Sequence, residues 1–283
     1  MATVYIKPGT GNGTGTLADP YFFDELGSAE TAAGSGGKIL FTDGTYTVSA
    51  VLQLGASNVT YEAVNTREAI LDFQSSTTYG LELGRSADSY AGFALKGLVF
   101  DNIGSTSLNG AVDVEIASGQ LLTVDNCDFL DMSSTYKAIV GSGSPSPVGA
   151  MNATFTGCVF TGSTSTADVD FFRYRGGTGG SHNLTLNNCT CVFTNNSTNE
   201  FFITTTIGSV TVKNTILKGE GSGTTTLGTA TTFTESNNCY VGIGESADPA
   251  NGIIVDDPQF VDPTTGDFRL RPSSPCIGAG TAS

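Results

Sequence analysis

Tryptophan is absent from the 283 residues, histidine occurs once, and only 14% of the chain is charged. An average soluble protein carries about 25% charge. Sugar-binding platforms often use Trp, so any platform here has to be built from Phe or Tyr. One histidine, His182, excludes His-based zinc motifs and leaves no convincing Ser-His-Asp constellation. It stands in a Gly-Gly-Ser-His182-Asn loop, where a solvated side chain is the ordinary reading. No P-loop or dinucleotide fingerprint occurs. Basic residues are scarce, 12 against 27 acidic, and the formal net charge is −15. Nucleic acid is thereby excluded as a partner, because phosphate binding needs clustered Lys and Arg. A polyanionic sugar is repelled unless a cation bridges it. No apolar run approaches the roughly 18 residues of a transmembrane helix, so no membrane partner is expected.

What is abundant is glycine, 37 residues, about twice the usual share, alongside Ser, Thr and Asn. The composition reads as a β protein. The chain opens Met1-Ala2-Thr3-Val4-Tyr5-Ile6-Lys7-Pro8, a short strand and a turn rather than a basic start and an apolar secretory core. Synthesis in a cytoplasm is the expectation, with release by lysis or a trimmed signal as alternatives. The C-terminus carries no lipidation or anchor motif.

The cysteines expose an internal repeat. Leu122-Thr-Val124-Asp-Asn126-Cys127-Asp-Phe129 matches Ala153-Thr-Phe155-Thr-Gly157-Cys158-Val-Phe160 and Leu184-Thr-Leu186-Asn-Asn188-Cys189-Thr-Cys191. The frame extends upstream to Gly97-Leu98-Val-Phe100 and downstream to Asn214-Thr215-Ile-Leu217. Looser copies surround Val64 and Asn238-Cys239-Tyr240-Val241. Reference positions 64, 98, 127, 158, 189, 215 and 239 are spaced by 34, 29, 31, 31, 26 and 24 residues.

Each copy alternates apolar residues, inserts Asn or Gly, then resumes apolar residues on the same side. Asn and Gly tolerate positive φ, so one such residue makes a sharp corner between two strands. Corners stacked at this interval predict an all-β, single-stranded, right-handed parallel β-helix, a solenoid of rungs about 4.8 Å apart. Like side chains then form interior ladders, one of Cys, Leu and Thr and one of Phe, Cys, Leu and Val. A two-layer sandwich explains the alternation but not the frame recurring in register. One domain, 1–283, is expected: N-terminal strand and cap over 1–50, rungs over 51–250 and a closing segment over 251–283. The cysteines are read as reduced, packed thiols, because parallel Cβ vectors on stacked rungs hold sulfurs in poor disulfide geometry and Cys189-Thr-Cys191 lacks metal spacing. Residues 20–33 carry a short helical pattern in which Phe22, Phe23, Leu26 and Ala29 or Ala33 share a face. It is expected to cap the first rung.

Val4 to Gly11, Gly15 to Phe22 and Gly37 to Tyr46 resemble the opening of right-handed parallel β-helix proteins of the pectate-lyase-like superfamily. The tail from Asp257 to Gly280 is similar to the closing segment of many such chains. The resemblance implies a fold shared by pectate lyases, polygalacturonases, bacterial surface proteins and phage tailspikes and fibres. It also implies a carbohydrate cleft along one sheet.

The strands before each repeat frame are candidates for that sheet: Leu81 to Leu83, Val112 to Ile116, Ala138 to Val140, Asp168 to Tyr174 and Glu200 to Ile203. Alternation with Val112, Val114 and Ile116 inward places Glu82, Asp113, Glu115, Asp168 or Asp170, and Glu200 on an outer stripe. Arg173 and Arg175 lie beside it. Two carboxylates about 5–10 Å apart would serve a glycosidase as acid and base. The resemblance to pectate lyases implies another arrangement, Ca²⁺ on Asp168 and Asp170 with Arg173 or Arg175 as base of a β-elimination. The runs around the catalytic Arg of pectate lyases do not occur here. The plain reading is an acidic face that keeps a rod soluble. Phe172 and Tyr174, with Arg175 and Glu200, are carbohydrate-binding candidates, although aromatics in such strands also fill cores.

The leading expectation is a non-enzymatic, structural or adhesive β-helix. It would be a phage virion component, a tail or head fibre or a decoration protein, that touches host surface polysaccharide or other virion proteins. A homotrimer is what such fibres form in the superfamily. The alternatives are a polysaccharide lyase or glycoside hydrolase, and a bacterial cell-surface β-helix.

Overall fold

A computed structural model describes residues 1–54, 56, 58–74, 80–84, 92–105, 111–115, 121–134, 137–142, 152–163, 170–175, 182–194, 199–204, 208–220, 225–229, 232–244 and 248–281. Its strands fall into three long sheets, and every pairing within them is parallel. The chain visits the sheets in a fixed order. Leu121–Asp125 lies in the first, Asp128–Ser134 in the second and Lys137–Ser142 in the third. Asn152–Thr156 then returns to the first, with Thr123 paired to Thr154. The seven strands of the third sheet mark seven complete turns of a parallel β-helix among the described residues. Parallel pairing already includes Thr3–Lys7 and Lys38–Phe41, because Val4, Ile6, Ile39 and Phe41 alternate into the core at 0–7% exposure.

The corner between the first and second sheets is the predicted one. Gly97, Asn126, Gly157, Asn188, Asn214 and Asn237 all have φ between 50° and 65°, the left-handed region open to Gly and Asn. At 157 the absence of a side chain has a second cause. A Cβ there would stand 2.5 Å from Asn126 Oδ1 of the previous turn.

After each corner the ladders follow. Leu98, Cys127, Cys158, Cys189 and Thr215 form one buried row. The Cys158 thiol donates to Val124 O at 3.4 Å and the Cys189 thiol to Phe155 O at 3.4 Å, each reaching back one turn. Two residues on, Phe100, Phe129 and Phe160 stack face to face at 5.1 Å spacing, and Cys191, Leu217 and Tyr240 continue the row.

Two looser copies of the repeat need a shifted frame. The first-row partner of Leu98 is Ala69, not Val64. Val64 is 46% exposed, because this corner holds a longer loop than the later ones. At the other end Ile216 pairs with Cys239, so Asn238, not Cys239, follows Thr215 in the buried row. Tyr240 accordingly takes the aromatic row in place of Val241. The cause is the tandem Asn237-Asn238: only the first is left-handed, and the second turns inward.

The cap is a short 3-10 turn, Phe23–Glu25, running into an α-helix, Leu26–Ala33. Ala29 and Ala33 are buried, and Phe23 and Leu26 pack against the core. Phe22 is not on that helix; it pairs with Lys7 in the first sheet, beneath the Lys7 ammonium. Glu30 accepts the Tyr61 hydroxyl at 2.6 Å, fixing the cap to the second turn. Arg67 clamps the long corner. Its guanidinium bonds Asp128 two turns on at 2.8 Å and donates to Gly157 O at 2.9 Å. At the far end Phe260–Asp262 and Asp267–Leu270 make an antiparallel hairpin, the one departure from parallel pairing among the described strands.

Candidate functional site

The third sheet carries most residues singled out from sequence, and its register orders them. Leu52, Leu81 and Val112 form one row with Ile139, Phe172 and Phe202. The next row holds Gln53, Glu82, Asp113, Val140, Arg173 and Ile203. Leu54, Leu83, Val114, Gly141 and Tyr174 make the third. Leu52, Leu54, Leu81, Leu83, Val112 and Val114 are buried, whereas Gln53 is exposed and Glu82 half-buried. Gln53 Nε2 donates to Glu82 Oε2 across the rungs. Asp113 and Arg173 thus share a row two rungs apart, about 10 Å along the rod. The remaining candidates do not join them there. Glu115 pairs with Gly84, Asp170 with Lys137, Arg175 with Ser142 and Glu200 with Thr226. Phe172 and Tyr174 fall on the rows of the buried leucines. Asp168, a Ca²⁺ candidate with Asp170, lies outside the described residues, as does Ile116. His182 begins a first-sheet strand, His182–Asn187, and pairs with Gly208. No group of three or more His, Cys, Asp or Glu suited to a metal occurs among the described residues.

A site that the sequence did not announce lies over the second sheet. The C-terminal hairpin folds back and leaves a groove of about 610 Å³ between itself and the sheet. Asp101, Asp131, Thr161, Thr264 and Thr265 supply polar groups, and Phe268 supplies a ring. Each carboxylate is placed by the repeat. Asp101 ends the strand Leu98–Asp101 and pairs with Asp72. Its Oδ1 accepts the Asn102 N–H at 2.9 Å, and Asn102 Nδ2 donates to Asp72 Oδ1 at 3.0 Å. Asp131 sits at a register shift in Asp128–Ser134 with φ 48°, and its N–H donates to Thr161 Oγ1 at 3.0 Å. The signal in the sequence was faint: an Asp one or two residues after the frame's Phe, at Asp101 and Asp131. Nothing local foretold that the hairpin would cover them. A second cavity, about 830 Å³, lies between the cap and residues 45–52, with Phe23, Leu26, Val48 and Leu52 on its walls.

Asp101 is the electrostatically unusual member. Desolvation raises its pKa above the ordinary 3.8, and Asp131 and Asp72 push the same way against the Asn102 hydrogen bond. A raised carboxyl favours the protonated form in the folded state. Its contribution to stability is therefore complete below pH 3.8 and lost as pH climbs through the folded value. Asp101→Asn keeps the acceptor for Asn102 and removes the charge. The variant is expected to melt above the wild-type protein at pH 7, with the difference closing near pH 3. Equal differences at both pH values in a thermal melt would show that no desolvated carboxylate resides there.

No family model matches the sequence, and no curated protein matches it. Solved structures resemble it in shape. Pectate lyase Pel9A is 16% identical with a TM-score of 0.48, over 100% of this chain and 92% of that one. Pectin methylesterase PemA from Erwinia chrysanthemi is 12% identical with a TM-score of 0.42, over 95% and 98%. A PL6 family polysaccharide lyase from Pseudopedobacter saltans is 12% identical with a TM-score of 0.38, over 85% and 64%. The register of its own three sheets makes this chain a parallel β-helix.

Proposed function

We propose that the protein is a structural, saccharide-binding β-helix, and that the groove under the C-terminal hairpin holds a neutral polyhydroxyl chain. The observation that carries the reading is the lining of that groove. Hydroxyls and carboxylates stand beside one aromatic ring, a set that accepts sugar hydroxyls and covers an apolar sugar face. Neutral ligands are favoured because Asp101 and Asp131 face the same space and the chain carries a net charge of −15. A rod with a low share of charged residues, 14%, and many Thr, Ser, Gly and Asn suits long exposure outside a cell. In the finer reading it is a virion fibre or decoration protein touching host surface polysaccharide; a bacterial cell-surface β-helix uses the same chemistry.

One observation favours a second reading. A carboxyl with a raised pKa beside another carboxylate is the arrangement of a glycosidase acid and its partner. Calorimetry and reducing-end assays on a panel of neutral polysaccharides separate the two. Binding without cleavage, weakened at least tenfold in Asp101→Asn/Asp131→Asn, is the expected result. Release of reducing ends that the double variant abolishes would replace the binding reading with the hydrolase. Absence of binding across the panel would overturn both.

A further inference from the structure

Cys239 departs from the other repeat cysteines. The shifted frame removes it from the interior row, and its thiol faces the closing segment, donating to Asp256 O at 3.3 Å. The tail returns to the same corner. Thr281 N–H donates to Asn214 Oδ1 at 3.0 Å, Asn214 Nδ2 to Thr281 O at 3.1 Å, and Asn237 Nδ2 to Thr281 Oγ1 at 3.4 Å. Cys276 lies five residues before Thr281 on this anchored stretch. It is the one cysteine of six that is not buried, and its thiol is an interacting neighbour of the Cys239 thiol.

We propose that Cys239 and Cys276 form a redox latch, closed by a low-molecular-weight disulfide, that ties the closing segment covalently to the last turn. The Cys276 thiolate attacks one sulfur of the small disulfide, forming a mixed disulfide and expelling one small thiolate. The Cys239 thiol then loses its proton and attacks the Cys276 sulfur, expelling the second. Two protein thiols are oxidised and one small disulfide is reduced to two thiols, so electrons balance. The order follows from exposure, since only Cys276 is open to the reagent. The neighbouring Cys239 thiol also holds the Cys276 pKa below its ordinary value, which enlarges its thiolate fraction. Cys158 and Cys189 are also neighbours, on adjacent rungs, but both are interior at 1–2% exposure, closed to any reagent.

The test uses the folded protein and excess oxidised glutathione. Remaining thiols are then alkylated in denaturant and mapped by peptide mass. Expected are four alkylated cysteines in place of six, one Cys239–Cys276 linked peptide, and roughly tenfold slower proteolysis of the closing segment. Cys239→Ser should instead retain one glutathione on Cys276, and Cys276→Ser should leave every remaining thiol free. Glutathione held on Cys276 in the wild-type protein, a Cys158–Cys189 link, or six unreacted thiols would each overturn the latch.

Discussion

Replacing Phe129 with alanine is expected to cost about 5 kcal/mol and to break the rod at its middle. Phe129 has no solvent exposure. Its ring stacks on Phe100 and Phe160 at 5.1 Å on either side and meets Phe155 edge-on at 6.3 Å. Truncating a buried Phe costs about 3–5 kcal/mol through lost transfer energy and the cavity left behind. Each aromatic pair adds about 0.5–1.5 kcal/mol. The sum rivals the 5–15 kcal/mol that holds an ordinary domain together. The consequence is not only a lower midpoint. In a solenoid each turn contacts only its neighbours, so a weakened central turn uncouples the two halves. Urea denaturation of Phe129→Ala should show a smaller m-value or two transitions. Phe129→Leu keeps most of the volume and should lose less than half as much. A single unshifted transition in Phe129→Ala would mean that the ring is not part of a packed ladder.

That ladder could be read in the sequence because its cause is local. One left-handed residue between two alternating strands leaves a mark at fixed distance from the buried side chains, and Cys127, Cys158 and Cys189 carry it without interruption. The frame is lost where the corner itself changes. The long corner after Ala63, clamped by Arg67 on Asp128, displaced the frame from Val64 to Ala69. The tandem Asn237-Asn238 displaced it again, since either Asn satisfies the corner and only the pairing with Ile216 decides. On the third sheet, alternation sorted Leu81, Glu82 and Leu83 correctly between core and surface. Which carboxylates share a row was set by loop lengths, and no periodicity encodes those. Asp113 and Arg173 therefore fell on one row, two rungs apart, while Glu115, Asp170 and Glu200 went to other rows. The groove was hidden for another reason: Asp101 and Asp131 are separated from Phe268 by over a hundred residues, and only tertiary folding brings the hairpin back across them.

Asn238→Leu is expected to lower stability by about 3 kcal/mol, with the loss concentrated in the last turn. Asn238 is 1% exposed and fully engaged. Its Oδ1 accepts the Thr215 N–H at 3.0 Å, and its Nδ2 donates to Val212 O at 2.9 Å and to the Tyr240 hydroxyl at 2.9 Å. The Tyr240 hydroxyl donates in turn to Glu235 Oε2 at 2.7 Å, and Glu235 stands on the row that Val212 fills one turn earlier. The reach to Val212 O is the one the cysteines make: Cys158 to Val124 and Cys189 to Phe155. A stronger donor has taken over the thiol's task at the end of the rod, where the core runs out and polar groups must close it. Leucine has a similar size but strands the Thr215 N–H and the Val212 carbonyl, at about 1–3 kcal/mol each. Asn238→Cys restores the donor to Val212 but not the acceptor for Thr215, and should recover roughly half of the loss. Because opening is local, native-state hydrogen exchange gives the sharper reading. In Asn238→Leu the Thr215 amide should exchange on the order of 100-fold faster, while amides around Cys127 keep their protection. Unchanged protection at Thr215 would mean that the closing turn draws its order from the tail packed over it rather than from this network.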